Sequence, residues 1–258
     1  MTNTEILIVS HRADAEWLAY NLKSIRKFAK GFSGVTIVVP AQDKNHFLPL
    51  AAGYGCRLRT HELPGHLGAQ VQKCLADEHC PDADFILHTD SDCVFTEPVT
   101  PEDYFWIQLM SPPIYQPVML IEEFSRLSGN PWQRPTELAL GQTVKFETMR
   151  RHPQVNPRGI YADMRGHMEH WHSMPFTKYV MAQKADFPWG FSEHCTIGAF
   201  ALYSHLWRDK YHWIDVAKDP RPKDKLAQFW SHSQPDKPQD LPSGGRGVPQ
   251  ETFTRLGL

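Results

Sequence analysis

Apolar residues over the first hundred positions fall into two alternating patterns. Glu5-Ile6-Leu7-Ile8-Val9-Ser10 is a continuous run of strand length. After a polar turn the spacing becomes helical, with Trp17, Leu18, Leu22, Ile25 and Phe28 on one face of a helix predicted from Asp14 to Phe28. The alternation then repeats. Val35 to Pro40 is a second buried strand, and a short helix and turn follow over Gln42 to Gly53. Arg57 to Leu63 reads as a third strand, at a sheet edge. Gly65 to His79 reads as a helix with Leu67, Val71, Cys74 and Leu75 inward and Gln70, Lys73 and Asp77 on another face. A fourth apolar run, Phe85-Ile86-Leu87, stops at Asp90-Ser91-Asp92 and resumes as Cys93-Val94-Phe95. Strands alternating with helices predict an α/β fold whose first half is doubly wound and binds a nucleotide.

Beyond Pro98 the periodicity weakens. Proline and tryptophan become frequent, as in Ser111 to Val118 and Gly129 to Pro135. One more strand is predicted at Tyr115 to Ile121, with helices near Pro135 to Leu140 and Met164 to Trp171. Asp186 to Cys195 leads into an apolar helix over Thr196 to Leu206. From Asp219 onward the chain is rich in Pro, Gly and charge and reads as a loop or mobile tail.

Composition narrows the class. The chain has 258 residues, enough for one domain with a large core or with an elaborated second half. A net charge of -2 argues against a general polyanion binder. Between Phe124 and His170 the arginines and lysine, Arg126, Arg134, Lys145, Arg150, Arg151, Arg158 and Arg165, outnumber the acids. They suit either an anionic ligand or an ordinary charged surface. Five cysteines with no Cys-x-x-Cys pair favour reduced thiols and a cytoplasmic location. The N-terminus lacks the basic start and long apolar core of a signal peptide, and no run reaches membrane-span length, so a soluble, unexported protein is expected.

Candidate chemistry clusters at the strand ends. If the chain at Asp90-Ser91-Asp92 stays extended, residues i and i+2 share a face, and both carboxylates converge on one cation. Hard oxygen ligands suit Mg²⁺ or Mn²⁺, which can in turn hold a diphosphate. Alone, an Asp-x-Asp tripeptide is a weak signal; its place at the end of a buried strand strengthens it. Ser10, Arg12 and Asp14 lie at the first strand-to-helix turn, the edge where open α/β sheets bind ligands, although Asp14 also suits a helix cap. Gln70 and Lys73 are one helical turn apart and can reach one ligand, or be a solvated face. Ser192 and Glu193 suit the cap and first turn of the following helix. Equally, Glu193 beside Trp189, Phe191 and His194 suits a desolvated carboxylate of raised pKa, a general base. His232, after Phe229 and Trp230, is either a surface residue or a late metal ligand.

With these residues in order, the chain resembles glycosyltransferases of the GT-A fold, and more closely a GT-A-like family with an Asp-x-Asp motif and a Ser-Glu-Tyr motif in its second half. Asp14, Val38-Val39-Pro40, Gln70 and Lys73 from a Gly-Trp-x-x-Gln-Gln-x-x-Lys pattern, Asp90-Ser91-Asp92 and Ser192-Glu193-His194 carry the likeness. The departures are His66, Ala69 and His194, which stand where that pattern has Trp, Gln and Tyr. The resemblance implies a single GT-A-like, Rossmann-related domain with a mixed sheet flanked by helices. Residues 1–98 would form the nucleotide-binding half, 99–218 an irregular acceptor-side half and 219–258 a C-terminal loop or tail. It further implies sugar transfer from a nucleotide-sugar donor, with a UDP-sugar first in line. A divalent metal, Mn²⁺ or Mg²⁺, would sit on Asp90, Asp92 and His232. Ser10, Arg12, Asp14, Gln70, Lys73, Asp90 and Ser91 would contact the donor, Glu193 would be the base, and Trp189 and His194 would face the acceptor. That acceptor is a hydroxyl of a glycan, a small molecule or a modified DNA base.

Two other classes fit parts of the pattern. Asp-Ser-Asp-Cys-Val matches the signature of haloacid-dehalogenase-type phosphatases, with Asp90 as nucleophile and Asp92 as general acid. Against this, that motif usually ends a first strand, and here two β-α units precede it. A non-catalytic sugar-binding module would use Trp132, Trp171 and Trp189 as stacking platforms without needing the acidic pair.

Overall fold

The computed structural model describes residues 3–127, 129–149, 153–183, 190–219, 225–228 and 250–258. The first half follows the predicted alternation: β1 (Thr4–Val9), α1 (Ala15–Phe28), β2 (Gly34–Pro40), α2 (Lys44–Tyr54), β3 (Arg57–His61), α3 (Gly65–Cys74), α4 (Ala76–His79) and β4 (Phe85–His88). After the acidic turn come β5 (Cys93–Phe95), β6 (Phe105–Gln108), β7 (Ile114–Glu123), α5 (Gln133–Leu140), β8 (Phe146–Glu147), β9 (Gln154–Pro157) and α6 (Gly159–His172). The chain continues with α7 (Phe176–Met181), α8 (Glu193–Tyr203), β10 (His212–Asp215), β11 (Leu226–Gln228) and α9 (Gln250–Leu256).

The main sheet has the order β3-β2-β1-β4-β9. The first four strands are parallel and β9 runs antiparallel to β4, so the sheet is mixed. Strands covered on both faces are expected to be apolar throughout, as β1 and β2 are. Ile6, Ile8, Ile37 and Val39 pack against Leu18 and Leu22 of α1 and Phe47 of α2. Leu7, Val9, Val38 and Ile86 face the other way, onto Leu67 and Val71 of α3, Met164 of α6 and Ile197 of α8. This two-sided burial fixes the register, because a slip by one residue would exchange the two faces. It also brings the ends of β1 and β4 to one edge, where Ser10 and Asp90 emerge.

Two expectations are corrected. The helix predicted over Gly65 to His79 is interrupted at Leu75, whose backbone sits at φ -100°, ψ 21°. There Arg165 Nη1 donates to the Cys74 carbonyl oxygen (2.7 Å), satisfying a helix end that would otherwise need to continue. The stretch from Asp219 onward is not all loop. Leu226–Gln228 pairs antiparallel with β5, placing Gln228 opposite Cys93. The α9 helix docks through Phe253, which is buried and stacks on Tyr20 at 4.2 Å. Among the described residues, no helix is long and apolar enough to cross a membrane.

Candidate functional site

The acidic tripeptide is a turn and not an extended segment. Cys93 N–H donates to the Asp90 carbonyl oxygen (3.1 Å), the i to i+3 bond of a β-turn, and Asn21 Nδ2 donates to the same oxygen (2.8 Å). The extended geometry in which residues i and i+2 share a face is therefore not formed, and the turn itself places both acids at the strand end. Ser91 Oγ donates to Ser10 Oγ at 2.9 Å, tying the turn to the end of β1. Asp92 is almost buried (6 % exposed), whereas the Asp90 side chain is 25 % exposed.

Lys73 joins this turn to the second half of the chain. It projects from the last turn of α3, and its Nζ lies 2.7 Å from Asp90 Oδ1 and 2.7 Å from Glu193 Oε1. Glu193 opens α8, preceded by Ser192, whose Oγ accepts from the Cys195 N–H at 3.4 Å. The cap and the acid thus play the structural part expected of them. Glu193 also does more. Gln70 Nε2, one turn before Lys73, donates to Glu193 Oε2 (2.9 Å) and to the Phe191 carbonyl oxygen (2.8 Å). Gln70 is buried, so the face predicted as polar is an inner face that carries a ligand for Glu193.

The charge state of Glu193 overturns one expectation. Burial alone would raise its pKa, but the Lys73 ammonium, by Coulombic attraction and a hydrogen bond, holds the carboxyl well below the usual range. Burial likewise opposes the charge of Lys73, yet Asp90 and Glu193 outweigh it and push the ammonium above the ordinary lysine value. Glu193 is an ionised carboxylate at neutral pH, not an acid of raised pKa.

His194 follows Glu193 in the first turn of α8. It is buried, its Nδ1 is 3.1 Å from Gln154 Oε1 and its Nε2 is 3.6 Å from Glu193 Oε1. Its imidazole is turned toward Gln154, the first residue of β9. Behind it, His88 contacts the Tyr161 hydroxyl, and burial, followed by His194 and Lys73, holds His88 well below the ordinary imidazole range.

Of the other predicted donor residues, Ser10 joins the cluster through Ser91. Arg12 and Asp14 are placed at the neighbouring loop: the Arg12 N–H donates to Asp43 Oδ2 (3.2 Å), and Asp14 Oδ2 faces His11 Nδ1 at 3.6 Å. Asp14 makes no side-chain cap bond to α1. Arg165, from the basic stretch, pairs with Asp77 (2.6 Å), and Arg158 donates to the Ala83 carbonyl oxygen (2.9 Å), so both hold the fold. Trp189 and His232 lie outside the described residues.

Sequence reading missed Asn21 and Gln154. Asn21 is fully buried on the inward stripe of α1, one turn from Trp17 and Leu18, and a polar residue on an apolar stripe was the available signal. Gln154 carried none, since it opens a short strand with no period.

Among the described residues, no three His, Cys, Asp or Glu side chains converge as a metal set. The donor chemistry at the turn nevertheless fits a hard cation. Two carboxylates from one turn are the protein share that Mg²⁺ commonly takes, with phosphate oxygens and water completing the shell. Compared with known proteins, the chain matches no protein-family model and no curated protein. What fold and site define is a class: an α/β protein with a mixed, Rossmann-like sheet flanked by helices and a charged cluster at the C-terminal edge of its parallel strands.

Proposed function

We propose that the chain is a metal-dependent glycosyltransferase of the GT-A type, moving a sugar from a nucleotide-sugar donor, first of all a UDP-sugar, to a hydroxyl acceptor. One observation carries the reading: Glu193, a hundred residues after the Asp90 turn, meets it across the single ammonium of Lys73. Open α/β sheets bind ligands at this edge. A long-range convergence of acid, base and amide groups there is costly to build and suits chemistry better than stability alone.

In this reading Asp90 and Asp92 hold Mn²⁺ or Mg²⁺, with His232, outside the described residues, as the third ligand the resemblance implies. The ion, when bound, supplies positive charge to the leaving diphosphate. Ser10 and Ser91 line the donor side, with Lys73 and Gln70 between donor and base. Glu193 takes the proton of the acceptor hydroxyl as its oxygen bonds to the anomeric carbon and the bond from that carbon to the phosphate oxygen breaks. Lys73 keeps Glu193 ionised, and hence in the accepting form, at the expense of basicity. The acceptor is a glycan, a small molecule or a modified DNA base. The cysteines, Cys56 half-buried and the rest buried, are all unpaired, which suits the cytoplasm.

The test is a thermal-shift series with UDP, GDP, CMP and ADP, each with and without Mn²⁺, on the wild type and on Asp92→Ala. Stabilisation by one nucleotide that needs metal and is lost in the variant supports the reading and names the donor base. If no nucleotide binds under any metal, the reading falls, and hydrolysis of a phosphomonoester then separates a phosphatase from a sugar-binding module.

A further inference from the structure

The hairpin of β6 and β7 ends in an apolar tip. Of the eight large apolar side chains exposed among the described residues, four, Trp106, Leu109, Met110 and Ile114, lie on this hairpin. Leu109 is the extreme at 94 % exposed, and Pro112 and Pro113 beside it are exposed as well. No Asp, Glu, Lys or Arg occurs from Tyr104 to Ile121. Single exposed apolar residues are ordinary in a folded protein, whereas a contiguous group at one turn marks a contact surface.

The root of the hairpin is built differently. Trp106 stacks on His212 of β10 at 4.4 Å, and Gln116, opposite Trp106 in the register, donates from Nε2 to the Asp209 carbonyl oxygen (2.7 Å). That oxygen belongs to the helical turn Arg208–Lys210, whose residues are all exposed. Two bases against one acid leave this turn with a net positive charge. Asp103 and Glu122, the nearest acids along the two strands, lie beyond the root, away from the tip. Pro113 stands three residues before Gln116, about 10 Å of extended chain. Interfacial elements enter the boundary between headgroups and acyl chains to a depth of about 5–10 Å. With the tip at that depth, Trp106 and the two bases fall at headgroup level, where both residue types are favoured. A second protein fits less well, because a stable interface takes about 800 Å² and about 20–30 residues from each partner, far more than one hairpin turn offers.

We propose that the β6–β7 hairpin docks the protein on an anionic bilayer surface, with Leu109, Met110 and Ile114 entering the interface and Arg208 and Lys210 meeting lipid phosphates. The proposal does not rest on the transferase reading and stands or falls apart from it.

The test is flotation of the full chain with vesicles of phosphatidylcholine alone and of phosphatidylcholine mixed with phosphatidylglycerol. The wild type is expected to float with the mixed vesicles and to partition about fivefold more weakly onto phosphatidylcholine alone, as one net charge near the surface implies. Leu109→Ser combined with Met110→Ser is expected to lower partitioning by about tenfold or more. Its melting midpoint should not change, because both side chains are exposed in the free protein. Leu48→Ser combined with Leu138→Ser removes apolar residues exposed elsewhere and is expected to float as the wild type does. Arg208→Gln combined with Lys210→Gln is expected to erase the preference for anionic vesicles. Absence of wild-type flotation overturns the proposal, and so does equal flotation of the wild type and the Leu109→Ser, Met110→Ser protein. Wild-type self-association in sedimentation velocity, lost in that variant and seen without flotation, overturns it in favour of a second copy of this chain.

Discussion

Gln70 and Glu193 are joined side chain to side chain at 2.9 Å, and the same Gln70 nitrogen reaches the Phe191 carbonyl oxygen at 2.8 Å. One amide therefore fixes both the carboxylate and the strand of backbone that delivers it. Gln70→Leu leaves two buried acceptors short of a donor. Its expected cost is about 1–3 kcal/mol, read as a lower midpoint in urea unfolding. Gln70→Glu is expected to cost more, because it sets a second carboxylate against Glu193. A Gln70→Leu protein with an unchanged midpoint would show that the amide is not holding this segment.

The Lys73–Glu193 pair gives a pH signature. Glu193 has a depressed pKa, so its contribution to stability is complete above the ordinary glutamate value of about 4.3 and is lost as pH falls through the lower, folded-state value. Lys73 has a raised pKa, so its contribution is complete below about 10.4 and is lost only above a still higher folded-state value. Between pH 6 and pH 9 the pair is insensitive to pH. Glu193→Gln is expected to lower stability by on the order of 3 kcal/mol across that window. The gap between variant and wild type should narrow below about pH 4. Thermal melts of both proteins from pH 3 to pH 9 check this, and a gap that widens in acid would reverse the assigned sign.

How far the sequence predicts this site depends on the range of the interaction. The strand runs Ile6 to Val9 and Val35 to Val39 announce their burial, since strands covered on both faces need apolar residues throughout. The helix containing Gln70 and Lys73 was legible from its period, but its polar face pointed to solvent until Glu193 was brought against it. That contact spans 120 positions in the chain, and no local pattern encodes it. The same distance explains why Glu193 was expected to have a raised pKa: its aromatic neighbours are adjacent in sequence, while the lysine that dominates its charge is not. His194 shows the converse limit. Its position in the motif was plain, but the rotation of α8 that buries it against Gln154 is decided by packing of the helix against α3, α5 and α6.

Close helix packing supplies a test that leaves every polar group intact. A Cβ at Gly68 would lie 2.7 Å from the Leu63 carbonyl oxygen, a backbone atom that cannot swing aside. Gly68→Ala must therefore push α3, and with it Gln70 and Lys73, away from its seat. The expected cost is about 1–3 kcal/mol, with a weaker metal-dependent nucleotide shift. Gly166, on the exposed side of α6, has nothing within 4 Å of a built Cβ. There alanine is expected to stabilise by about 0.5–1 kcal/mol, through helix propensity. Equal effects of the two substitutions on urea midpoints would show that contact at Gly68 is not limiting.

The last helix offers a local test of a different kind. At seven residues α9 is too short to persist by itself, so its docking must supply its order. Phe253 is that anchor: it stacks on Tyr20 at 4.2 Å, meets Trp17 edge-on at 6.3 Å and packs with Val94 of β5. A buried Phe→Ala change in a core usually costs about 3–5 kcal/mol of global stability. Here the helix can release while the sheet and its two helical layers remain, so the loss is expected to appear as local opening. In Phe253→Ala, amides of α9 should exchange with solvent at rates near those of an unfolded peptide, while amides of β1 and β2 keep their protection. The global melting midpoint should fall by less than the core value implies. Trp17 and Asn21 share one helix, and Asn21 holds the Asp90 carbonyl oxygen at 2.8 Å. If exchange also rises at Asp90 to Cys93 in the variant, α9 braces the acidic turn through α1; unchanged protection there would confine its influence to its own docking site.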